Sequence, residues 1–438
     1  MLPLLRLLSL VLVVLVPFGV VACGGDDDGE AGGDATATEE GGEEAAPSFE
    51  LKIGPVLPLT GDLASFGPSQ AEAARIAVER IQEALESAGV EDVTVTLLDV
   101  EDDGGRSQAG VEAATKFVQT DQVNVILGTM ASSVTIPIAE SVTIPNGVVQ
   151  ITPTSTAPEI TELDDDGLVF RILSSDTLQG SALVDAVADA FGSDATINVG
   201  ARNDAFGTAL KQLFEQGWED QGGAIGQSVT WNPEAATFDT EARRLAGGNP
   251  DGWVIIDFPE TFAKVGPALV RAGGWDPSKT FMTEAMRNAD ELTKIGAQAT
   301  NGLRGTAPTS EDAPAREAFD QLFTQEAPDA SLTGFEGASF DAVMLAFLAA
   351  LDAGSSDPDD VKGSLQAVSG PPGDKYTFEN LDQSVAALLN GDDIDYEGAW
   401  GPIDFDDNGD PGSAIYEVWR FDGSEVSTEK TFTFSGSD

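Results

Sequence analysis

Residues 123–159, VNVILGTMASSVTIPIAESVTIPNGVVQITPTSTAPE, decide the fold. Two apolar runs, 123–127 and 148–151, have strand length and are rich in β-branched side chains. Residues 133–142 between them have the length and character of a short helix. The three pieces make a βαβ unit, and such units build parallel sheets through right-handed crossovers. Both strands end in hydroxyls: Ser132 and Ser133 after the first, and Thr154, Ser155 and Thr156 after the second. Ligands of open parallel sheets sit beyond the carboxyl ends of the strands. Hydroxyls there, beside free backbone amides, can seat a carboxylate. Ser and Thr are equally ordinary helix caps and turn formers, so both roles stand open at this point.

The same alternation runs outward in both directions. A strand at 51–57 is followed by Ser69 and Glu72, spaced as a capping box, and then by a helical apolar face at 74, 77, 78, 81, 85 and 88. A strand at 93–100 and a helix at 107–120 lead into the opening stretch. After residues 170–173 the rhythm starts again, with helices at 178–191, 206–217, 260–272 and 288–297. Strands at 195–200, 225–229, 253–257 and 280–283 alternate with them. Two successive βα halves predict an α/β protein of two similar lobes, each a mostly parallel sheet flanked by helices. Beyond residue 305 the pattern turns helical at 313–324, 340–353 and 359–368. It closes on a hairpin of strands 400–405 and 415–421 around Asn408-Gly409.

The chain has 438 residues, enough for two ordinary domains. Its 75 acidic and 22 basic residues give a net charge of -53, which argues against nucleic acid as a partner. The acids are spread along the chain as a solvated coat, consistent either with a saline habitat or with an acidic proteome. Residues 1–23 read as a secretory signal, with Arg6 ahead of an apolar run at 7–16. The run closes on Val20-Val21-Ala22-Cys23, which resembles a bacterial lipobox and implies lipidation of Cys23; an incidental cysteine is the alternative. Residues 24–48 are Gly, Ala and acid, the composition of a flexible tether.

Catalysis has little to draw on. The chain has no histidine, so no Ser-His-Asp or Cys-His set can form within it, and its single cysteine is assigned to the lipid. Glycines 24–33 lie in the tether rather than between a strand and a helix, so they are no nucleotide loop. Asp404, Asp406, Asn408 and Asp410 imitate a calcium loop, but Ile415 stands where its bidentate Glu belongs. No metal, cofactor or catalytic residue is expected. Asp257 and Glu284 end strands in the second lobe, where an acid can face a ligand ammonium or simply cap a turn.

Several stretches together resemble the type I solute-binding proteins of ABC importers, in the branch of the leucine/isoleucine/valine-binding proteins. They are 53–67 (IGPVLPLTGDLASFG), 123–159, 169–180 (VFRILSSDTLQG), 203–207 (NDAFG), 339–342 (SFDA) and 398–410 (GAWGPIDFDDNGD), in family order across about residues 50 to 420. The resemblance implies a two-lobed type I periplasmic-binding-protein fold with three hinge crossings, near Arg171, Arg304 and Tyr396. Lobe 1 is then 49–171 with 304–395, and lobe 2 is 172–303 with 396–438. It implies that Ser132, Ser133, Thr154, Ser155 and Thr156 grip a ligand carboxylate and ammonium. Phe66 and Phe206 take the ligand-contacting aromatic positions, both Phe where Tyr is common. Glu284 pairs the ammonium, and Asp257-Phe258 aligns loosely beside it. The implied function is extracytoplasmic capture of a small polar ligand, an amino acid of the branched-chain type, for an ABC permease. The protein is expected as a monomer, lipid-anchored on the outer face of the cytoplasmic membrane. Alternatives are a ligand-sensing lipoprotein of the same fold, a binder of amides, urea or aromatic acids, and a surface hydrolase built on paired acids.

Overall fold

The computed structural model describes residues 47–310 and 315–435; residues 1–46, with Cys23 and nearly all of the tether, lie outside them. Five parallel strands form the first sheet in the order β2 (Val93–Leu97), β1 (Phe49–Leu57), β4 (Val125–Leu127), β5 (Val149–Thr152) and β6 (Val169–Arg171), with β3 (Glu101–Asp102) on the far end of β1. The second sheet contains β7 (Thr196–Arg202), β8 (Ala224–Trp231), β9 (Gly252–Ile256), β10 (Thr280–Met282) and β11 (Arg304–Thr309), all parallel, in the order β8-β7-β9-β10-β11. β12 (Asp374–Tyr376) and β13 (Ile394–Tyr396) make a separate parallel pair. β14 (Ser413–Phe421) and β15 (Val426–Ser435) extend the second sheet antiparallel beyond β11. Strand order reverses at β1/β4 in one sheet and at β7/β9 in the other. Crevices open at such switch points, beyond the carboxyl ends of the strands. The α/β, two-lobed expectation holds.

Helix Glu336–Ala353 is apolar on every side and buried over nearly its whole length, packed on Gly67–Ala88 and Pro358–Ser369. Its one mid-helix acid, Asp341, accepts hydrogen bonds from Tyr396 Oη at 3.0 Å, Ala399 N at 2.9 Å and Trp400 N at 2.6 Å. Burial pushes this carboxyl up to about 7 against those three donors. The bonds tie the core helix to the chain as it leaves β13. Among the described residues, no single helix is long and apolar enough to cross a membrane.

Four local expectations are corrected. The helix placed behind Ser69 starts at Gly67, and Ser69 Oγ donates back to the Phe66 carbonyl at 2.9 Å instead of capping. A Cβ on Gly67 would stand 2.0 Å from the Pro58 carbonyl oxygen, so this entry turn requires glycine. The hairpin placed at 400–405 and 415–421 does not form. Asp406 Oδ1 instead accepts from Asn408 N and Asp410 N in a local turn, while β14 pairs with β11 and β15. The true hairpin turns at Asp422–Glu425, and its second strand alternates half-buried with exposed residues as an edge strand does. Finally, Arg304–Thr309, expected with the first lobe, pairs in the second sheet between β10 and β14.

Candidate functional site

Loops at both switch points converge on one cavity. From the first lobe come Leu63 and Phe66 after β1, Met130, Ala131 and Ser132 after β4, Thr154 and Thr156 after β5, and Phe335 ahead of the core helix. From the second come Phe206 after β7, Phe258 after β9, and Glu284 and Ala285 after β10, with Leu173 at the crossing between lobes. A cavity that is mostly apolar with a few convergent polar groups is the ordinary form of a small-molecule site.

The hydroxyls divide by what their neighbours leave free. Ser132 Oγ accepts from Thr156 N and Ala157 N, each at 3.2 Å, which occupies its lone pairs. Its proton is what remains to offer, so it suits a carboxylate. Thr154 Oγ1 donates to the Met130 carbonyl at 3.1 Å and keeps lone pairs for an ammonium. Ser155 turns away: it is buried against Thr129 O at 3.0 Å and Thr135 Oγ1 at 2.7 Å. Those contacts belong to a buried network in which Gln150 Nε2 donates to Gly128 O and Thr135 O, and Thr143 Oγ1 donates to Gln150 Oε1. The network holds the loop after β4 in place. Ser133 offers its carbonyl to Ser107 Oγ at 2.6 Å and does not line the cavity. Of the five residues expected here, Ser132, Thr154 and Thr156 line the cavity, while Ser133 and Ser155 do not.

Across the cavity, Phe206 and Phe258 stack with ring centroids 5.3 Å apart. Asp257 is not beside them in the lining. It is fully buried, accepts from Phe258 N at 3.0 Å and lies 3.8 Å from Arg202 Nη1. Burial pushes its carboxyl well above the usual range, with Arg202 opposing. A residue so placed backs the wall and does not line the cavity. Glu284 does line the cavity, with Gln179 Nε2 donating to its Oε2. Burial raises this carboxyl to about 7, the Gln179 bond opposing.

One acid that matters had not been singled out. Asp176, at the start of helix Asp176–Phe191, is fully buried and neither carboxyl oxygen has a hydrogen-bond partner. Burial first, then the charge of Glu284, push it well above the ordinary range. The Thr156 hydroxyl and Arg171 weigh against this shift, the hydroxyl without good hydrogen-bond geometry. Asp176 stands in SSDTLQG, where it reads as an ordinary first-turn helix acid. Leu63, Met130, Leu173, Ala285 and Phe335 were also unmarked, since an apolar residue in a loop carries no periodic signal. Among the described residues, no lysine or arginine lines the cavity.

A sequence model of periplasmic binding proteins matches residues 50–419. The leucine-, isoleucine-, valine-, threonine- and alanine-binding protein of Pseudomonas aeruginosa is 28% identical over 334 residues, spanning 72% of this chain and 82% of the relative. A branched-chain amino acid transporter substrate binding protein of Streptococcus pneumoniae, solved with isoleucine, superposes with a TM-score of 0.69 at 18% identity, covering 88% of this chain and 100% of its own. An ABC transporter solute binding protein of R. palustris, solved with benzoate, superposes at 0.66 and 17% identity, over 87% of this chain and 96% of its own. With the family match spanning nearly all the described residues, the chain belongs to the periplasmic binding proteins, a family of solute-binding proteins and not of enzymes.

Proposed function

We propose that this protein captures a zwitterionic α-amino acid with an apolar side chain and presents it to an ABC permease. The observation that carries this reading is Glu284, a buried acid on a cavity whose lining holds no basic side chain, with the buried and unpartnered carboxyl of Asp176 close enough behind it for their charges to interact. A ligand ammonium supplies the missing charge, Ser132 donates to its carboxylate, and Thr154 accepts from its ammonium. Leu63, Met130 and the four phenylalanines surround an apolar side chain. A ligand touching both lobes favours their closure, because only the closed arrangement completes its contacts. The lobes we assign are residues 49–171 with 315–396 and 172–309 with 413–435. The phenylalanine wall also suits an aromatic acid, but such a monoanion leaves Glu284 and Asp176 unpaired.

A thermal-shift screen over amino acids, amides and benzoate tests the assignment. L-Isoleucine at a hundred times its dissociation constant should stabilise by about 2.7 kcal/mol. Stabilisation by benzoate and not by any amino acid would reverse the reading. Ser132→Ala should weaken L-isoleucine by about 1.5–3 kcal/mol in calorimetry, the value of a hydrogen bond to a charged group. An unchanged dissociation constant would remove Ser132 from the carboxylate.

The lipobox-like VVAC supports a lipid anchor at Cys23 on the outer face of the cytoplasmic membrane, with the acidic tether spacing a monomeric body from it. Cys23→Ser should release the protein into the medium or leave its signal uncleaved. Processing and membrane retention like the wild type's would contradict the anchor.

A further inference from the structure

We propose that Asp62 and Arg202 form a clasp across the mouth of the cleft that sets how long a bound ligand stays. Arg202 ends β7 in the second lobe, and Asp62 lies on the loop after β1 in the first. Arg202 Nη2 donates to Asp62 Oδ2 at 3.0 Å, and Thr261 Oγ1 on helix Pro259–Ala272 donates to the same oxygen at 3.0 Å. Both of these bonds cross from one lobe to the other. Leu63 and Phe66, just past Asp62, line the cavity, so the clasp seats them against the facing wall.

Each half of the clasp is built without the other. On the first lobe, Asp102 Oδ1 accepts from Leu59 N at 2.9 Å and Thr60 N at 3.1 Å, and its Oδ2 from Thr60 Oγ1 at 2.6 Å, holding the loop that carries Asp62. On the second, Arg202 Nε donates to Asp204, Nη1 lies 3.8 Å from Asp257, and the guanidinium lies 3.7 Å from the Phe258 ring centroid. Within the clasp, opening the lobes therefore breaks only the bonds to Asp62. Its side chain is 27% exposed even when clasped, so water takes over as it leaves. Arg202 keeps two carboxylates and its aromatic face in either state. Such a contact has two discrete arrangements, and closure selects one. Because the clasp lies at the rim and forms after the ligand has entered, its strength acts on dissociation rather than on encounter.

Stopped-flow fluorescence with L-isoleucine, on the wild type, Asp62→Asn and Thr261→Val, tests this. Asp62→Asn should raise the dissociation rate about tenfold and change the association rate less than twofold. Thr261→Val should do the same to a smaller extent, and both ligand-free variants should melt like the wild type. An unchanged dissociation rate, or a loss confined to association, overturns the clasp. Should the wild type give no signal with L-isoleucine, the ligand assignment fails separately. The clasp is then judged in the same measurement with the amino acid, amide or benzoate that the thermal-shift screen shows to bind: faster dissociation from Asp62→Asn supports it, and an equal rate overturns it.

Discussion

Glu284→Gln should make the ligand-free protein more stable at pH 8 while abolishing most of its affinity for L-isoleucine. The Glu284 carboxyl is held at about 7 in the folded protein, above its ordinary 4.5. A raised carboxyl contributes stability below 4.5 that is lost as pH rises through about 7. At pH 8 the buried carboxylate then costs on the order of 2–3 kcal/mol, which an uncharged glutamine avoids. The substituted side chain would keep an amide oxygen to accept from Gln179. Binding moves the other way: an ammonium deprived of its buried carboxylate loses about 3–5 kcal/mol. The same carboxyl predicts the pH dependence. Wild-type affinity should fall as pH drops below about 7, by up to tenfold per pH unit, because the protonated acid no longer pairs an ammonium. Affinity of the variant should depend on pH less steeply than the wild type's between pH 5 and 8. Melting curves and calorimetry across that range suffice, and a variant that melts lower and binds as well would refute the role given to Glu284.

The second large effect is structural. Arg171→Met should destabilise the protein by about 3–5 kcal/mol. Its guanidinium is wholly buried, donating from Nη1 to the carbonyls of Thr156 at 3.1 Å and Ala157 at 3.0 Å and from Nη2 to Thr161 Oγ1 and Asp410. Methionine fills much of the volume but strands the Asp410 carboxylate and two carbonyls beside the Thr154–Thr156 turn. That turn carries two of the cavity hydroxyls, so affinity should fall as well. In urea unfolding, a second change of Asp410→Asn should restore part of the loss, since it removes the orphaned charge. A loss below about 1 kcal/mol would mean that Asp410 and the carbonyls find water instead.

Much of the architecture is legible in local sequence. The β-branched runs that became β1, β4, β5, β7 and β9 alternate with helical faces, and that order alone requires parallel sheets and crossovers. Parallel sheets in turn place side chains at strand ends, which pointed to Ser132, Thr154, Thr156 and Glu284, and the family resemblance added Phe206 and Phe258; all six line the cavity. Where local pattern is silent, tertiary contacts ruled. Ser155 and Thr156 are adjacent hydroxyls in a turn without period, and only the approach of Thr135 and Thr129 directs Ser155 inward. Asp257 and Glu284 both follow second-lobe strands, yet Arg202, from another strand, claims the first and leaves the second to the cavity. Asp176 gains meaning only beside Glu284, and β11 sits between β10 and a β14 more than a hundred residues further on. Periodicity records which face a residue turns to the core. It holds no record of which distant residue meets it there, and at this site the distant residue decides what each polar group is free to do.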